Sequence, residues 1–365
     1  MKISIGSRII NGPYGGGNEF LKNLSSYFES MNHIVVNDLS SNDIDLILLT
    51  NPLPDSETST FNNFDIDFYI SFVNPNALVF QRINECDERK KTRNLNNRLN
   101  KYNKNVDINI FVSQWLKSNF DEYELSKKPS FVVKGGPSKK IFNMNDKLSW
   151  DGKEKIKIVT HHWSDNLMKG YNFYKFVDEL LNNQKYQELF DFTIIGNTPK
   201  NIEFINTTII PPLSGGDLAN ELKKNHVYLT ASINEPSGNH HMEGAMCGLP
   251  IMYINSGGIP EYCHRYGVET TKSSFLNSLE EIKNNYSKLF ESLQSYDYTF
   301  ENASKEFLSI FENSLNNKYE IKKLRIESNR ASVFFKYINN KIFLLIYSNL
   351  TKFKKFLGKL KKAIF

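Results

Sequence analysis

The chain has 365 residues and a formal net charge of +5, with 40% of its residues apolar and 23% charged. These values suit a soluble globular protein of two or three domains, each with its own core, and no internal repeat points to a solenoid or propeller. Its three cysteines, Cys86, Cys247 and Cys263, have no paired spacing, which argues for a reducing compartment and against a zinc site.

Residues 2–10 read as a first strand, too short and polar for a signal peptide. The strand ends in Asn11-Gly-Pro-Tyr-Gly15-Gly16-Gly17-Asn18, after which Phe20, Leu21, Leu24, Tyr27, Phe28 and Met31 recur at helical spacing. Glycines between a strand and a helix let the backbone approach a ligand and leave helix amides free, although tight turns use glycine as often. Strands are predicted at 33–36, 43–50 and 74–80. Asp43-x-Asp45 and Asp65-x-Asp67 have the form of a metal-binding D-x-D, but the first stands at the entry of a buried strand, where charges solvate the strand end. The fourth strand runs into the stretch 81–90, with Gln81, Arg82, Asn84, Glu85, Asp87, Glu88, Arg89 and Lys90, the densest polar cluster of this half. Open α/β sheets hold ligands at such strand ends, and a salt-bridged turn accounts for any single residue equally well. A basic helix (95–102), a strand (108–112), a helix from 113 to 120 and a last strand (131–133) follow, then a linker at 143–151.

A second α/β unit starts with a strand at 155–159. The loop from Thr160 to Gly170 carries His161, His162 and Lys169 and leads to a helix at 173–181. A cation at a strand-to-helix turn neutralises phosphate charge. The paired histidines lack further ligands at useful spacing and read as a hydrogen-bonded loop without metal. Strands at 192–197 and 208–214 and a helix at 218–223 come next. The apolar run 226–232 then ends in a loop bearing Glu235, Gly238 and Asn239. Met242 to Cys247 reads as a helix, stopped by Gly248-Leu-Pro250, with Glu243 in its first turn. A strand at 251–254 leads into the turn Asn255-Ser-Gly257-Gly258-Ile-Pro260-Glu261, and 298–315 has helical spacing. Glu235 and Glu243 are eight positions apart. A carboxylate accepts two hydrogen bonds from a vicinal diol, and the amides of a helix N-terminus accept a diphosphate.

The Glu235-x7-Glu243 pair, Lys169-Gly170 and Gly257-Gly258-x-Pro260-Glu261 resemble, in order and interval, the motifs of retaining glycosyltransferase family 4. The resemblance covers roughly residues 1–315. It implies an α/β GT-B fold, two Rossmann-like domains facing a cleft. An acceptor domain would occupy 1–147 and a nucleotide-sugar domain 148–297, with 298–317 crossing back to the first. It implies that Lys169 and Gly170 hold the diphosphate, with Lys169 stabilising the leaving group, that Glu235 lies beside the donor sugar, and that Glu243 binds the ribose. Gly16, Gly17, Leu213, Gly238, Asn239 and Gly258 would complete the donor site, Leu213 near the base; Arg82, Asn84 and Asp87 would face the acceptor. Three positions depart from the pattern: Gln81 stands where a histidine often precedes the arginine, Ser164 stands near an expected arginine, and Lys134-Gly135 replaces Asn-Gly. The implied activity is metal-independent transfer of a hexosyl unit from a nucleotide-diphosphate sugar, with retention, to a glycan or lipid-linked acceptor, in cell-envelope polysaccharide synthesis. No cofactor and no metal are expected; the nucleotide sugar is a substrate. A nucleotide-sugar 2-epimerase of the same fold and a catalytically silent nucleotide-sugar-binding partner protein are the alternatives.

The tail, 318–365, carries thirteen basic residues against two acidic ones, so the remainder of the chain is net acidic. Phe334, Phe335, Ile338, Ile342, Phe343, Leu345, Ile346, then Phe353, Phe356 and Leu360, interleave with the lysines. The first apolar set is too short and too charged to span a membrane. The pattern predicts a basic amphipathic helix on an anionic bilayer, with the protein cytoplasmic and peripheral to the inner face; a helical hairpin packed on the body is the competing reading, and nucleic acid is not the expected partner.

Overall fold

The computed structural model describes residues 1–8, 16–54, 56, 58–325 and 328–364, with the side chains of 16, 348 and 350–364 outside that description. Two six-stranded parallel sheets organise it. The first has β1 (Lys2–Ile5), β2 (Ile34–Val36), β3 (Leu46–Leu49), β4 (Leu78–Ile83), β5 (Ile108–Phe111) and β6 (Ser130–Val132), in the order β2-β1-β3-β4-β5-β6. The second has β7 (Ile156–His162), β8 (Phe190–Gly196), β9 (Thr208–Ile210), β10 (Val227–Thr230), β11 (Ile251–Tyr253) and β12 (Gly267–Glu269), in the order β12-β11-β10-β7-β8-β9. Strands such as Leu46–Leu49 are buried at every position, as parallel strands covered on both faces must be.

Three boundary differences from the sequence expectation bear on the candidate site. β1 ends at Ile5, and the glycine loop through Gly15 lies outside the described residues. β4 continues to Ile83, because Gln81 pairs in register with Leu49 on one side and Asn109 on the other. The helix after β10 runs from Asn239 to Met246, so Glu243 stands in its second turn; His240 and His241 are taken into the interior with Met242 and lengthen the buried face.

The first core joins Ile3, Ile5, Leu46, Leu48, Phe80 and Ile108 to the helix Gly16–Ser30 and to the helix Phe300–Asn316. The latter docks through Phe307 and Phe311, whose rings meet Phe20, Phe28 and Phe80. The C-terminal 300–316 helix is therefore part of the first sheet's core. Its entry is pinned where the Phe300 amide donates to the Pro137 carbonyl and Glu301 accepts from Ser138 Oγ and the Lys139 amide.

Both D-x-D pairs have structural partners. Asp43 pairs with Lys2 at 2.6 Å and Asp45 accepts the Lys2 amide. Asp65 closes a capping box on the helix Asn63–Phe68 and pairs with Lys341, and Asp67 accepts from Asn105. The three cysteines are buried and unpaired.

After the short helix Lys318–Lys323, the tail forms the long helix Arg330–Ile364. Its first turns lie on the helix Asn63–Phe68: Tyr337 stacks on Phe68 at 4.3 Å and the buried Asn340 accepts from Asn62. Just before it, Arg325 forms a two-pronged ion pair with Asp107, Nε to Oδ1 at 2.9 Å and Nη2 to Oδ2 at 2.5 Å, and also donates to the Ala77 carbonyl. The Asp107 side chain is 1% exposed. Removing the guanidinium strands a buried charge, so Arg325→Ala should cost about 3–5 kcal/mol. Denaturant unfolding should show that loss, and Asp107→Asn in the same background should recover part of it.

Candidate active site

The second sheet fixes where a ligand can sit. The chain leaves β7 toward β8 on one side and returns through β10 on the other. The loops after β7 and β10 therefore part, and a crevice opens at the strand ends between them. The first loop presents Lys169 and the second presents Glu235.

Each loop is shaped for that task. Asn166 Oδ1 accepts the Met168 amide and starts the short turn Leu167–Lys169. Gly170 ends it at φ 96°, and a Cβ there would lie 2.2 Å from the Ala231 carbonyl oxygen, so only glycine lets the two loops close on each other. The helix Tyr171–Leu180 then begins. Glu235 is anchored by its backbone, whose carbonyl accepts the Gly258 amide at 2.8 Å. A Cβ on Gly258 would strike the Pro236 carbonyl oxygen at 2.3 Å and Ser113 Oγ, in the first domain, at 2.8 Å.

Glu235 Oε2 accepts from Lys169 Nζ at 2.9 Å and from Arg89 Nη2 at 2.5 Å. Arg89 belongs to the first domain, in the turn of helix Asp87–Lys90 after β4. Its Nη1 also donates to the carbonyls of Met168 and Ile233, which flank the same crevice. The side chains of Arg89 and Glu235 are each 10% exposed. Burial pushes the Glu235 carboxyl up, but the charges of Lys169 and Arg89 outweigh it and hold its pKa below the ordinary range.

Beside this triad the helix Asn239–Met246 starts with no side-chain cap, so its first amides are not taken by a capping side chain. Glu243, on the same helix, meets His161 Nε2 at 2.6 Å. The Glu243 carboxylate accepts, so His161 Nε2–H donates to it, while Nδ1 lies 3.1 Å from Tyr228 OH. Three further histidines near this crevice are interior. His162 faces Tyr174 OH at 2.8 Å and His240 faces Thr230 Oγ1 at 2.8 Å. His241 is fully buried, and neither of its ring nitrogens has a hydrogen-bond partner.

The other expected site residues are spread more widely. Gly16 and Gly17 begin the helix Gly16–Ser30, with open space around the Gly17 Cβ position. Leu213 is half-buried beyond β9, two strands from β7, and packs with Ile210 on the core around Leu218 and Tyr228. Arg82 lies within β4, its guanidinium 4.3 Å from the centre of the Phe20 ring, and burial lowers its pKa to about 10. Asn84 is half-buried just past β4. The Asp87 carboxylate accepts from Thr92 Oγ1 and from the amides of Leu95 and Asn96. It thereby fastens the Arg89 turn to the helix Leu95–Tyr102. Burial opposes ionisation of Asp87, yet these hydrogen bonds leave its pKa below the usual value. Gln81 is fully buried, accepts from Asn103 and lies beside Asn109, so it sits in the interior of the sheet. Sequence reading did not single out Arg89 as a site residue; its one signal was its place inside the polar cluster at 81–90.

Glu261, from the Gly-Gly-x-Pro-Glu turn, crosses the interface. It accepts the amides of Gln114 and Trp115 at 3.0 and 2.7 Å, capping the helix Gln114–Ser118 of the first domain, and pairs with Lys134 at 3.2 Å. Tyr262 OH donates to the Val112 carbonyl at 2.5 Å. A cavity of about 400 Å³ lies behind this fastener, lined by Lys134, Glu261, Asp297 and Glu306 among others, and shares no residue with the Lys169–Glu235–Glu243 group.

The buried histidines set a pH dependence. Burial holds His162 and His240 well below the usual imidazole pKa and lowers His241 from 6.5 to about 3. The unfolded chain binds these protons first, so stability is full above pH 6.5 and is lost as pH falls toward the folded values. His241→Gln removes one such proton, and its unfolding free energy should fall less than that of the parent between pH 7 and 5, by about 2 kcal/mol. Denaturant titrations at the two pH values measure the difference.

No protein-family model matches the chain, and no curated protein does. Solved structures do resemble it. Sucrose-phosphate synthase from Thermosynechococcus elongatus aligns over 87% of this chain and 99% of its own, at 12% identity and a TM-score of 0.60. A glycosyltransferase from Rickettsia africae aligns over 87% and 98%, at 13% identity and 0.61. HepE from Anabaena, solved in complex with UDP, aligns over 86% and 99%, at 11% identity and 0.62. At these identities the likeness establishes the fold: two Rossmann-like domains facing a cleft, the GT-B arrangement seen in glycosyltransferases.

Proposed function

We propose that this chain is a retaining glycosyltransferase that takes a nucleotide-diphosphate sugar as donor and a glycan or lipid-linked molecule as acceptor. The observation that carries the reading is the meeting of Lys169 and Glu235 at the switch point of the second sheet, beside an uncapped helix start. A GT-B neighbour that carries UDP supports the donor class.

In this reading the diphosphate lies at the amides of Asn239 and its successors, with Lys169 on its charge. Leu213 lines the base end and Gly16 and Gly17 underlie the phosphates. Glu243 accepts from the ribose hydroxyls, oriented by the His161 Nε2–H. The anomeric C1–O bond breaks and its electron pair passes to the diphosphate oxygen. The acceptor oxygen bonds C1 from the same face, and its proton passes to the departing phosphate. Glu235, with the Gly238 and Asn239 backbone, orients the sugar. Arg82 and Asn84 lie on the acceptor side. Neither a metal nor a carboxylate nucleophile enters these steps.

Purified full-length protein, given a panel of sugar nucleotides with and without candidate glycan acceptors, should release free nucleotide from one donor and more of it with the right acceptor. No release from any donor would leave a silent binding protein; a changed sugar without transfer would make it an epimerase. With the active nucleotide, Glu243→Ala should weaken binding by about 1–3 kcal/mol in calorimetric titration, because buried hydroxyls lose their acceptor.

Membrane attachment, in cell-envelope polysaccharide synthesis, is part of the same reading. Among the described residues no helix is long and apolar enough to cross a membrane. The tail helix docks on the body through Val333, Tyr337 and Asn340, and on its opposite side Phe335, Ile338, Ile342, Leu345 and Ile346 are exposed, Phe335 and Leu345 by 66% each. An apolar stripe flanked by lysines suits the headgroup region of an anionic bilayer. Phe353, Phe356, Leu360 and the lysines beyond residue 350 have side chains outside the described residues. Full-length protein should sediment with anionic vesicles at low salt and not with neutral ones, and a chain ending at Tyr347, which keeps the Arg325–Asp107 pair, should sediment less. Equal sedimentation of the two would remove the distal tail from the interaction.

A further inference from the structure

The second domain offers one cation, Lys169, where the motif resemblance leads one to expect two; Ser164, near the vacant position, only accepts the Asn166 amide through its hydroxyl. The first domain delivers a cation to the same crevice. Arg89 reaches across the interface, and its guanidinium and the Lys169 ammonium converge on one oxygen, Glu235 Oε2, at 2.5 and 2.9 Å. Two positive charges with one carboxylate leave the cluster one unit positive, largely enclosed, beside uncapped helix amides. An anion that replaces Glu235 on both cations meets two positive charges, which suits an anion of more than one charge. The fully buried His241, both ring nitrogens unpartnered, lies close enough for Glu235 and Lys169 to act on its charge.

We propose that Arg89 is the second diphosphate-binding cation of this site, supplied by the opposite domain, and that Glu235 holds it in place until the diphosphate arrives. The proposal rests on the nucleotide-sugar reading of the site. The chemistry favours arginine for this task. Its rigid planar fork keeps Nη1 on the Met168 and Ile233 carbonyls while a phosphate oxygen takes the place of Glu235 Oε2 at Nη2, both oxygens accepting in the same geometry. The turn that presents it is held rigid by Asp87, through Thr92, Leu95 and Asn96. Glu85 pairs instead with the neighbouring Lys90, which leaves Glu235 as the one carboxylate on Arg89 among the described residues. Placing half of the phosphate charge stabilisation on the acceptor domain makes that stabilisation depend on closure of the cleft, so a donor held in an open cleft lacks it.

The test compares nucleoside diphosphates with their monophosphates by calorimetric titration of the full-length protein, using uridine, guanosine, adenosine and cytidine forms. The parent should bind one diphosphate much more tightly than its monophosphate. Arg89→Ala should lower diphosphate affinity about 10- to 100-fold and leave monophosphate affinity within about twofold. Arg89→Lys should restore part of the difference. Lys134→Ala, which breaks the Lys134–Glu261 pair across the same interface, should keep the parental preference for diphosphate. Circular dichroism melts confirm that each variant folds. A parent that binds none of the nucleotides overturns the nucleotide-sugar reading itself. A parent that prefers diphosphate, with Arg89→Ala keeping the same preference, overturns the role of Arg89 alone. Equal loss in Arg89→Ala and Lys134→Ala makes Arg89 an interdomain strut and likewise overturns it.

Discussion

The structure turns on one buried carboxylate. Glu235 gathers a lysine from its own domain and an arginine from the other onto a single oxygen, with about a tenth of its side chain exposed. Burying a carboxylate this deeply is unfavourable unless cations and donors compensate. Here the compensation comes from both domains, so the ionisation of Glu235 and the closure of the cleft are linked. Its backbone is fixed separately, by the Gly258 amide. The side chain can therefore change partners without displacing the loop that carries it.

The turn Gly257–Glu261 has a second duty. Glu261 caps the helix Gln114–Ser118 across the interface, and Tyr262 reaches the Val112 carbonyl. The absence of a side chain at Gly258 lets this turn pass between Pro236 and Ser113. One short motif thus supports the Glu235 loop from behind and fastens the two domains at the same level. A side chain at Gly258 would disturb both, because a Cβ there meets the Pro236 carbonyl on one side and the Ser113 side chain on the other.

The fold was legible because both sheets are parallel and buried. Their strands are continuous apolar runs, such as Leu46-Ile-Leu-Leu49, and the alternation of strand and helix leaves few topologies. Within the candidate site, Lys169 and Glu235 were readable because each stands at a strand end in a loop marked by glycine. Arg89 was not, since its role comes from an approach between domains that no local spacing records. The start of the helix at Asn239 was hidden for another reason. Asn-His-His is weakly helical by propensity, and only burial of the two histidines beside Thr230, Tyr228 and Tyr262 decides it. Gln81 misled in the opposite sense: it reads as part of a polar loop, but register with Leu49 and Asn109 carries it into the sheet.

Placing the two cations on opposite sides of the cleft has a consequence for how the protein moves. In the closed arrangement their charge is balanced in part by Glu235. Opening the cleft separates Arg89 from Glu235 and leaves both groups to water, which solvates each of them well. The ion pair therefore contributes modestly to closure, since its Coulomb attraction is set against the desolvation of both partners. The fastener at Glu261 is less ambivalent. It satisfies helix amides that have no side-chain alternative of comparable charge, and a carboxylate at a helix start gains from the dipole as well. Closure is thus held mainly by the Glu261 and Tyr262 contacts, while the Arg89–Glu235 pair is nearly balanced and is free to respond to charge in the crevice. A multiply charged anion entering beside Lys169 tips that balance. It lets Arg89 change partner at little cost, with the domains still clasped at the rim.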